Sequence, residues 1–369
     1  MWIILRIKII LRIFADKFVD MVRIESLKIT FEILQLISEI DEFKGAWIAL
    51  GNLSPDTLLQ LRKVATLESI GSSTRIEGSK MSDIEVGRFL ANLKTQKFET
   101  RDQQEVAGYA ELMTVVFSHF NDIPLTENFI QQLHSILMKF SDKDQWHKGQ
   151  YKKFPNHVVA VDGLGQVVGV VFETTPPFET PLKMKELVDW TVEKLENKAY
   201  HPLLVIAIFV VSLLAIHPFQ DGNGRLSRVL TTFLLLKMGY HYSQYSSLEA
   251  VIERQKPEYY IALRQTQITL NNTEPDWQAW IVFFLKSLKS QKENLQIKIS
   301  REQFLLSQMP NMGQTIIEHL QIRGRITLSE LHLLTNFNKN TLKKHLENLV
   351  KNNQIRRNGV GRGVWYTLI

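Results

Sequence analysis

At 369 residues the chain is long enough for two or three domains, and 44% hydrophobic against 22% charged residues excludes wholesale disorder. Cysteine is absent, which excludes a disulfide framework, a thiol nucleophile and Cys-built zinc sites, and fits a cytoplasmic protein. The net charge of +6 is localised: residues 311–369 hold nine Lys/Arg against three Asp/Glu, so a nucleic-acid or acidic partner is to be sought at that end.

The chain opens with MWIILRIKIILRIF, apolar but broken by Arg6, Lys8 and Arg12. A membrane span needs roughly 20 largely uncharged residues, and a signal peptide needs an unbroken apolar core, so no membrane partner is expected. Two readings stand for residues 1–20: a basic amphipathic surface helix, or an extension upstream of a true start at Met21, which is the simpler. Residues 25–64 predict two helices around the Gly51–Pro55 turn, the second running on through LLQLRKVATLESI. Further helices are expected over 82–94, 101–119 and 126–140. HVVAV and VVGVVF around Asp162-Gly163-Leu164-Gly165-Gln166 then predict a β-hairpin over 157–172. Helices resume at 181–196 and 203–216. The latter, LLVIAIFVVSLLAI, is apolar all round and too short for a membrane, so it should be the buried centre of a bundle. Beyond Met309, three short amphipathic helices and two strands around a Gly-rich turn outline a winged helix-turn-helix over 311–369.

Directly after the apolar helix comes His217-Pro218-Phe219-Gln220-Asp221-Gly222-Asn223-Gly224-Arg225-Leu226-Ser227-Arg228. Pro218 should end the helix near His217 and leave an imidazole suited to general-base work beside a turn. Asp221-Gly222-Asn223-Gly224 can bring backbone N–H groups round a concavity at the start of the next helix, an anion cradle. Arg225 and Arg228, three apart on one helix face, are expected to turn their guanidinium forks to the same anion. Asp221 is a hard oxygen ligand suited to Mg²⁺ held jointly with phosphates. Singly, each of these residues fits an ordinary helix connection; together they point to phosphoryl or nucleotidyl transfer.

That stretch resembles the signature of the Fic (filamentation induced by cAMP) family, His-any-Phe-any-Asp/Glu-Gly-Asn-Gly-Arg-any-any-Arg, at all eight specified positions, and the resemblance extends over about residues 45–285. It implies a protein adenylyltransferase: His217 deprotonates a target hydroxyl, which attacks the ATP α-phosphorus. Asp221 would hold Mg²⁺ on the α- and β-phosphates, Gly222, Asn223 and Gly224 would bind phosphate oxygens, and Arg225 and Arg228 the β- and γ-phosphates, while Phe219 anchors the loop. The phosphate-transferring branch of the family carries Lys where Gly224 stands, so AMP transfer is implied over phosphorylation. Tyr259 and Tyr260 resemble the segment near the adenine, with aromatic core as the plainer reading. The hairpin resembles the family flap that aligns the target by strand pairing. The family often shows Gly-any-Tyr-Arg before the flap; here Gly149-Gln150-Tyr151 is followed by Lys152. Ser73-Thr74-Arg75-Ile76-Glu77-Gly78 resembles the inhibitory motif of the class with an N-terminal inhibitory helix. That implies Glu77 pairs with Arg228 and leaves ATP misaligned, or assists removal of AMP.

The fold expected is all-α: a Fic helical bundle with a short β-hairpin flap, preceded by a helical region over 21–100, with the catalytic core over 101–300 and the winged helix last. The partners implied are ATP, Mg²⁺ and a protein with a Ser, Thr or Tyr hydroxyl; a homodimer is left open. The alternative function is a DNA-binding transcriptional regulator acting through 311–369. Gly163-Leu164-Gly165 with Gly169 does not match a dinucleotide fingerprint, and neither a Walker A sequence nor an HExxH pairing occurs.

Overall fold

A computed structural model of the chain describes residues 22–49, 55–93, 98–161, 167–307 and 311–369. Both readings of residues 1–20, and the expected turn tip at 162–166, lie outside the described residues. Two compact units divide the chain. The first takes the described residues up to Ala49 together with Val64–Lys292; the second takes those between Ala49 and Val64 together with Glu293–Ile369.

The first unit is all-α with one short hairpin, as expected. Its helices are α1 (Phe31–Ala49), α2 (Pro55–Ile76, from Val64 onward in this unit), α3 (Asp83–Ala91), α4 (Arg101–His119) and α5 (Glu127–Leu137). The antiparallel pair β1 (Val158–Val161) and β2 (Val167–Phe172) follows, with Val158 opposite Phe172 and Val161 opposite Val167. Then come α6 (Thr180–Glu196), α7 (Pro202–Ile216), α8 (Asn223–Lys237), α9 (Leu248–Arg254), α10 (Lys256–Gln267) and the first half of α11 (Gln278–Ser307). Starts are set by side-chain caps: Thr100 accepts from the Gln103 amide, Thr126 from the Phe129 amide, and Ser82 forms a capping box with Glu85. α7 begins with Pro202 after the His201 cap and buries every residue from Leu203 to Ile216. It packs against α6, α8 and α10. An apolar helix without a polar face finds its lowest free energy at the centre, each buried Leu, Ile or Val contributing about 1.5–3 kcal/mol.

One expected boundary is moved by tertiary context. The second helix is expected to run through Ile70, yet α2 continues through Ser72-Ser73-Thr74-Arg75 to Ile76. Ser72, Ser73 and Thr74 are buried. Thr74 Oγ1 donates back to the Ile70 and Gly71 carbonyls, and Ser69 Oγ donates to Ser247 Oγ at 3.0 Å. Hydroxyls with partners can be buried at little cost, so packing overrides local preference.

In the second unit the three helices and hairpin expected from the sequence are found: α12 (Asn311–Arg323), α13 (Leu328–Thr335), α14 (Lys339–Lys351), and antiparallel β3 (Ile355–Asn358) and β4 (Trp365–Leu368). Ile316, Leu320, Leu331, Leu342, Leu346 and Tyr366 are among the residues of its buried cluster. Ile326 exchanges both backbone hydrogen bonds with Tyr366, which ties the α12–α13 connection to the hairpin.

In the first unit α4 and α5 approach closely at Gly108, where an added Cβ would lie 2.0 Å from the Leu137 carbonyl oxygen. Helix propensity alone favours Ala over Gly by about 1 kcal/mol, but a clash with main chain has no flexible side chain to yield. Gly108→Ala is therefore expected to destabilise the fold by about 1–3 kcal/mol, seen as a lower Tm in thermal unfolding; an unchanged or raised Tm would show that the α4–α5 spacing is slack.

Candidate active site

α7 ends where the sequence places its stop. His217 caps it in the left-handed region, φ 53° and ψ 59°, and its amide still donates to Leu213 O. A non-glycine residue there is held by its surroundings, because the conformation costs roughly 1–2 kcal/mol. The His217 Nδ1 lies 3.2 Å from Leu214 O. A carbonyl oxygen only accepts, so Nδ1 carries the hydrogen and Nε2 keeps its lone pair. Burial pushes the His217 pKa down to about 4, so the imidazole is neutral at pH 7.

The turn then folds onto itself. Phe219 is fully buried and stacks on His134 with ring centroids 3.9 Å apart. The Asn223 side chain bridges both backbone groups of Phe219: its Oδ1 accepts from Phe219 N at 2.9 Å and its Nδ2 donates to Phe219 O at 2.7 Å. Gly222 precedes α8 with φ 80°, and a Cβ there would press on Leu137 and Met138 at 3.2 Å. The first amides of α8 lack intrahelical partners, as at any helix start, and carry the positive end of its dipole.

Arg228, one helical turn on, is 3% exposed. Its Nε donates to Ser73 Oγ at 2.9 Å, and its Nη2 to Ser73 O at 2.9 Å and to Glu77 Oε1 at 2.8 Å. Burial opposes its charge, but the Glu77 carboxylate holds the guanidinium protonated, its pKa above the ordinary value. Nη1 is buried without a partner among the described residues. The Glu77 carboxylate sits over Gly224: a Cβ there would lie 2.2 Å from Glu77 Oε1.

The two arginines do not converge as expected. Arg225 turns instead to Glu105 (Nη1 to Oε2, 3.1 Å) and Asp221 (Nη2 to Oδ2, 3.3 Å), leaving its Nε without a partner among the described residues. Arg101 pairs with the same two carboxylates, at 2.8 Å each. Burial raises the Asp221 pKa, yet Arg225, the Gly222 amide and Arg101 together hold it below the ordinary carboxylate value. Tyr259 is a core residue packed near Trp280 and Tyr260 beside it is 42% exposed; both hydroxyls feel the charges of Arg228 and Glu77. His217, Asp221, Gly222, Asn223, Gly224, Arg225, Arg228, Ser73 and Glu77 are thus brought to one place. Arg101, Glu105, His134 and Asn156 were missed. Only Lys152 had left a trace in the sequence, as the residue after Gly149-Gln150-Tyr151.

Comparison with known proteins agrees with this geometry. Residues 124–235 match the Fic/DOC family. They are a Fic domain. A curated relative from Drosophila mojavensis, named protein adenylyltransferase Fic, is 25% identical over 221 residues, covering 57% of this chain and 40% of its own length. One of the same name from Aedes aegypti is 26% identical over 200 residues, covering 52% and 37%. The chain spans less than half the length of these relatives. A crystal structure of a Fic family protein from Desulfovibrio desulfuricans matches with a TM-score of 0.61 at 23% identity, covering 93% of this chain and 97% of that one. A Fic domain containing signaling protein from Bacteroides thetaiotaomicron matches with a TM-score of 0.55 at 26% identity, covering 71% and 96%.

The Fic domain has groups suited to an anion: a helix start, and beside Gly224 the Arg228 Nη1, which has no partner among the described residues. Asp221 is ionised and 37% exposed at its side chain, so its donor type fits Mg²⁺. No group of three His, Asp or Glu with metal-binding geometry occurs among the described residues, so such an ion would draw its other oxygens from phosphate and water.

Behind the Fic loop, His134 is 0% exposed with both nitrogens in use. Its Nδ1 accepts from Gly149 N at 2.8 Å, so Nε2 carries the hydrogen and donates to Asp221 O at 3.0 Å. Burial pushes its pKa from 6.5 down to about 4. The unfolded imidazole therefore takes its proton near pH 6.5 and the folded one only near pH 4, and in that window the unfolded chain binds more proton. Stability is full above pH 6.5 and falls as the pH drops to about 4, by roughly 3 kcal/mol for this group. Urea unfolding at pH 7, 5.5 and 4.5 should show that loss, and His134→Gln, though less stable at pH 7, should show a shallower one; equal slopes would remove His134 from the acid response.

Proposed function

We propose that the chain is a protein adenylyltransferase, moving AMP from ATP onto a Ser, Thr or Tyr hydroxyl of a protein and restrained by Glu77. The observation that carries it is the buried Arg228 guanidinium, whose Nη1 beside Gly224 has no partner among the described residues, with a neutral histidine in the same turn whose Nε2 keeps its lone pair. In this reading the ATP phosphates lie across Gly222, Asn223 and Gly224, with the Arg228 fork towards the γ-phosphate. Only the backbone amide of Asn223 contributes, since its side chain closes the turn. His217 Nε2 takes the proton of the target hydroxyl, the oxygen bonds to the α-phosphorus, and the bond to pyrophosphate breaks. Asp221 would hold Mg²⁺, which neutralises phosphate charge when bound. Tyr260, with its exposed ring, is the better partner for adenine, and Tyr259 backs it edge-on.

The Glu77 carboxylate is itself an anion over Gly224 and on Arg228, so it competes for the positions that the phosphates need. Displacing the γ-phosphate misaligns the α-phosphorus, and about 1 Å of misplacement can cost a hundredfold in rate. Label from α-phosphate-labelled ATP and Mg²⁺ should enter purified Glu77→Gly protein at least about tenfold faster than wild type, and not at all in Glu77→Gly/His217→Ala. Label in none of them would remove the transferase reading, and equal label in wild type and Glu77→Gly would remove the brake.

A second reading belongs to the second unit, whose three helices and hairpin we read as a winged helix that binds DNA. Lys339, Lys343 and Lys344 on α14 and Arg356 and Arg357 on β3 are exposed, and none forms an ion pair among the described residues. Five such cations engaging phosphates would make log K for duplex DNA fall against log salt with a slope of about −4.5, measurable by mobility shift of the full chain. A complex insensitive to salt, or none, would leave this unit to protein contacts.

A further inference from the structure

Lys152 is 3% exposed and, among the described residues, has no carboxylate partner. A buried ammonium without a counter-charge is retained only where its donors are all used. Here they are: Nζ donates to Ile216 O at 2.9 Å, to Asn156 Oδ1 at 2.8 Å and to Thr174 Oγ1 at 2.9 Å. The Lys152 amide donates to Pro218 O at 2.8 Å. Asn156 Nδ2, its own oxygen fixed by Lys152 and Thr174, donates to His217 O at 3.1 Å and Phe219 O at 2.6 Å. The four consecutive carbonyls from Ile216 to Phe219 are thus all gripped by two residues of one short segment. Ile216 is the last residue of α7, where the helix dipole also favours a cation.

We propose that Lys152, acting through Asn156, is a positioning residue that holds the His217 turn in its left-handed conformation and so aims the imidazole. Left to itself, a non-glycine residue would leave that conformation. The grip on both flanking peptides prevents it, and the Nδ1 contact with Leu214 O then sets the tautomer. Burial pushes the Lys152 pKa down to about 8, which leaves it charged at pH 7, and its charge also disfavours the protonated form of His217.

The consequence for catalysis rests on the transferase reading, so the test has one arm that needs transfer and one that does not. In the Glu77→Gly background, Lys152→Met should lower the self-modification rate at saturating ATP at least about tenfold, with the ATP concentration for half-maximal rate within about twofold. Lys152→Arg, which keeps a cation with several donors, should restore the rate to within about threefold. Separately, imidazole nitrogen NMR, with His217 assigned by its loss in His217→Ala, should show a single Nδ1–H tautomer in wild type and a mixture in Lys152→Met. An unchanged tautomer signature in Lys152→Met overturns the proposal whether or not transfer is seen. So does an unchanged rate, or loss only through weaker ATP binding, or no recovery with Arg. Absence of label in the Glu77→Gly parent counts against the transferase reading alone. If Lys152→Met does not fold, Asn156→Ala is read by the same two measurements, with the same outcomes expected and the same ones overturning.

Discussion

A guanidinium buried beneath a helix N-terminus organises this molecule. The Arg228 side chain and the first amides of α8 are both electropositive, and neither is well exposed to water. An uncompensated buried charge costs several kcal/mol, so negative charge and acceptor oxygens must be drawn to that place. Ser73 supplies a hydroxyl and a carbonyl, and Glu77 supplies the carboxylate. This accounts for why α2 continues through a run of serines and threonine that has little reason of its own to be helical. It also leaves one nitrogen of the guanidinium, facing Gly224, without a partner among the described residues.

The end of α2 is fixed from its other side as well. Arg75 uses its whole fork: Nε and Nη2 on the two oxygens of Glu253 at 2.6 and 2.9 Å, and Nη1 on Asp83 at 2.8 Å. Such bidentate pairing gives direction as well as attraction. The carboxylate two residues further on is therefore presented by a segment anchored to α9 and to the start of α3.

The turn between α7 and α8 shows how a tight polar loop survives inside an apolar bundle. Its carbonyls are claimed by Lys152 and Asn156, and the two backbone groups of Phe219 by Asn223. Its ring is packed flat on His134, whose imidazole reaches the Asp221 carbonyl. Because these contacts are buried or partly buried and linked through shared residues, a shift in one is felt by the others, and the site has the rigidity that positioned chemistry requires.

The amino-acid sequence by itself determined the elements that depend on neighbours a few residues away. The all-apolar run 203–216 had to be a central helix, Pro218 had to stop it, and the glycines around Asn223 had to open the next helix with bare amides. The helices and strands after Asn311 were equally legible, since period and turn residues are local properties. Only the tertiary structure decided which charges meet. Arg101 lies 120 residues from Asp221 and leaves no local trace of the pairing. Arg225 and Arg228, three apart on one helix, find different partners because Glu105 stands on one side and Ser73 and Glu77 on the other. The burial of Ser73 and of Lys152 was hidden for the same reason. Spacing along the chain records helix faces and turns, whereas burying a hydroxyl or a charge is permitted only by an acceptor or counter-charge that folding brings from far away.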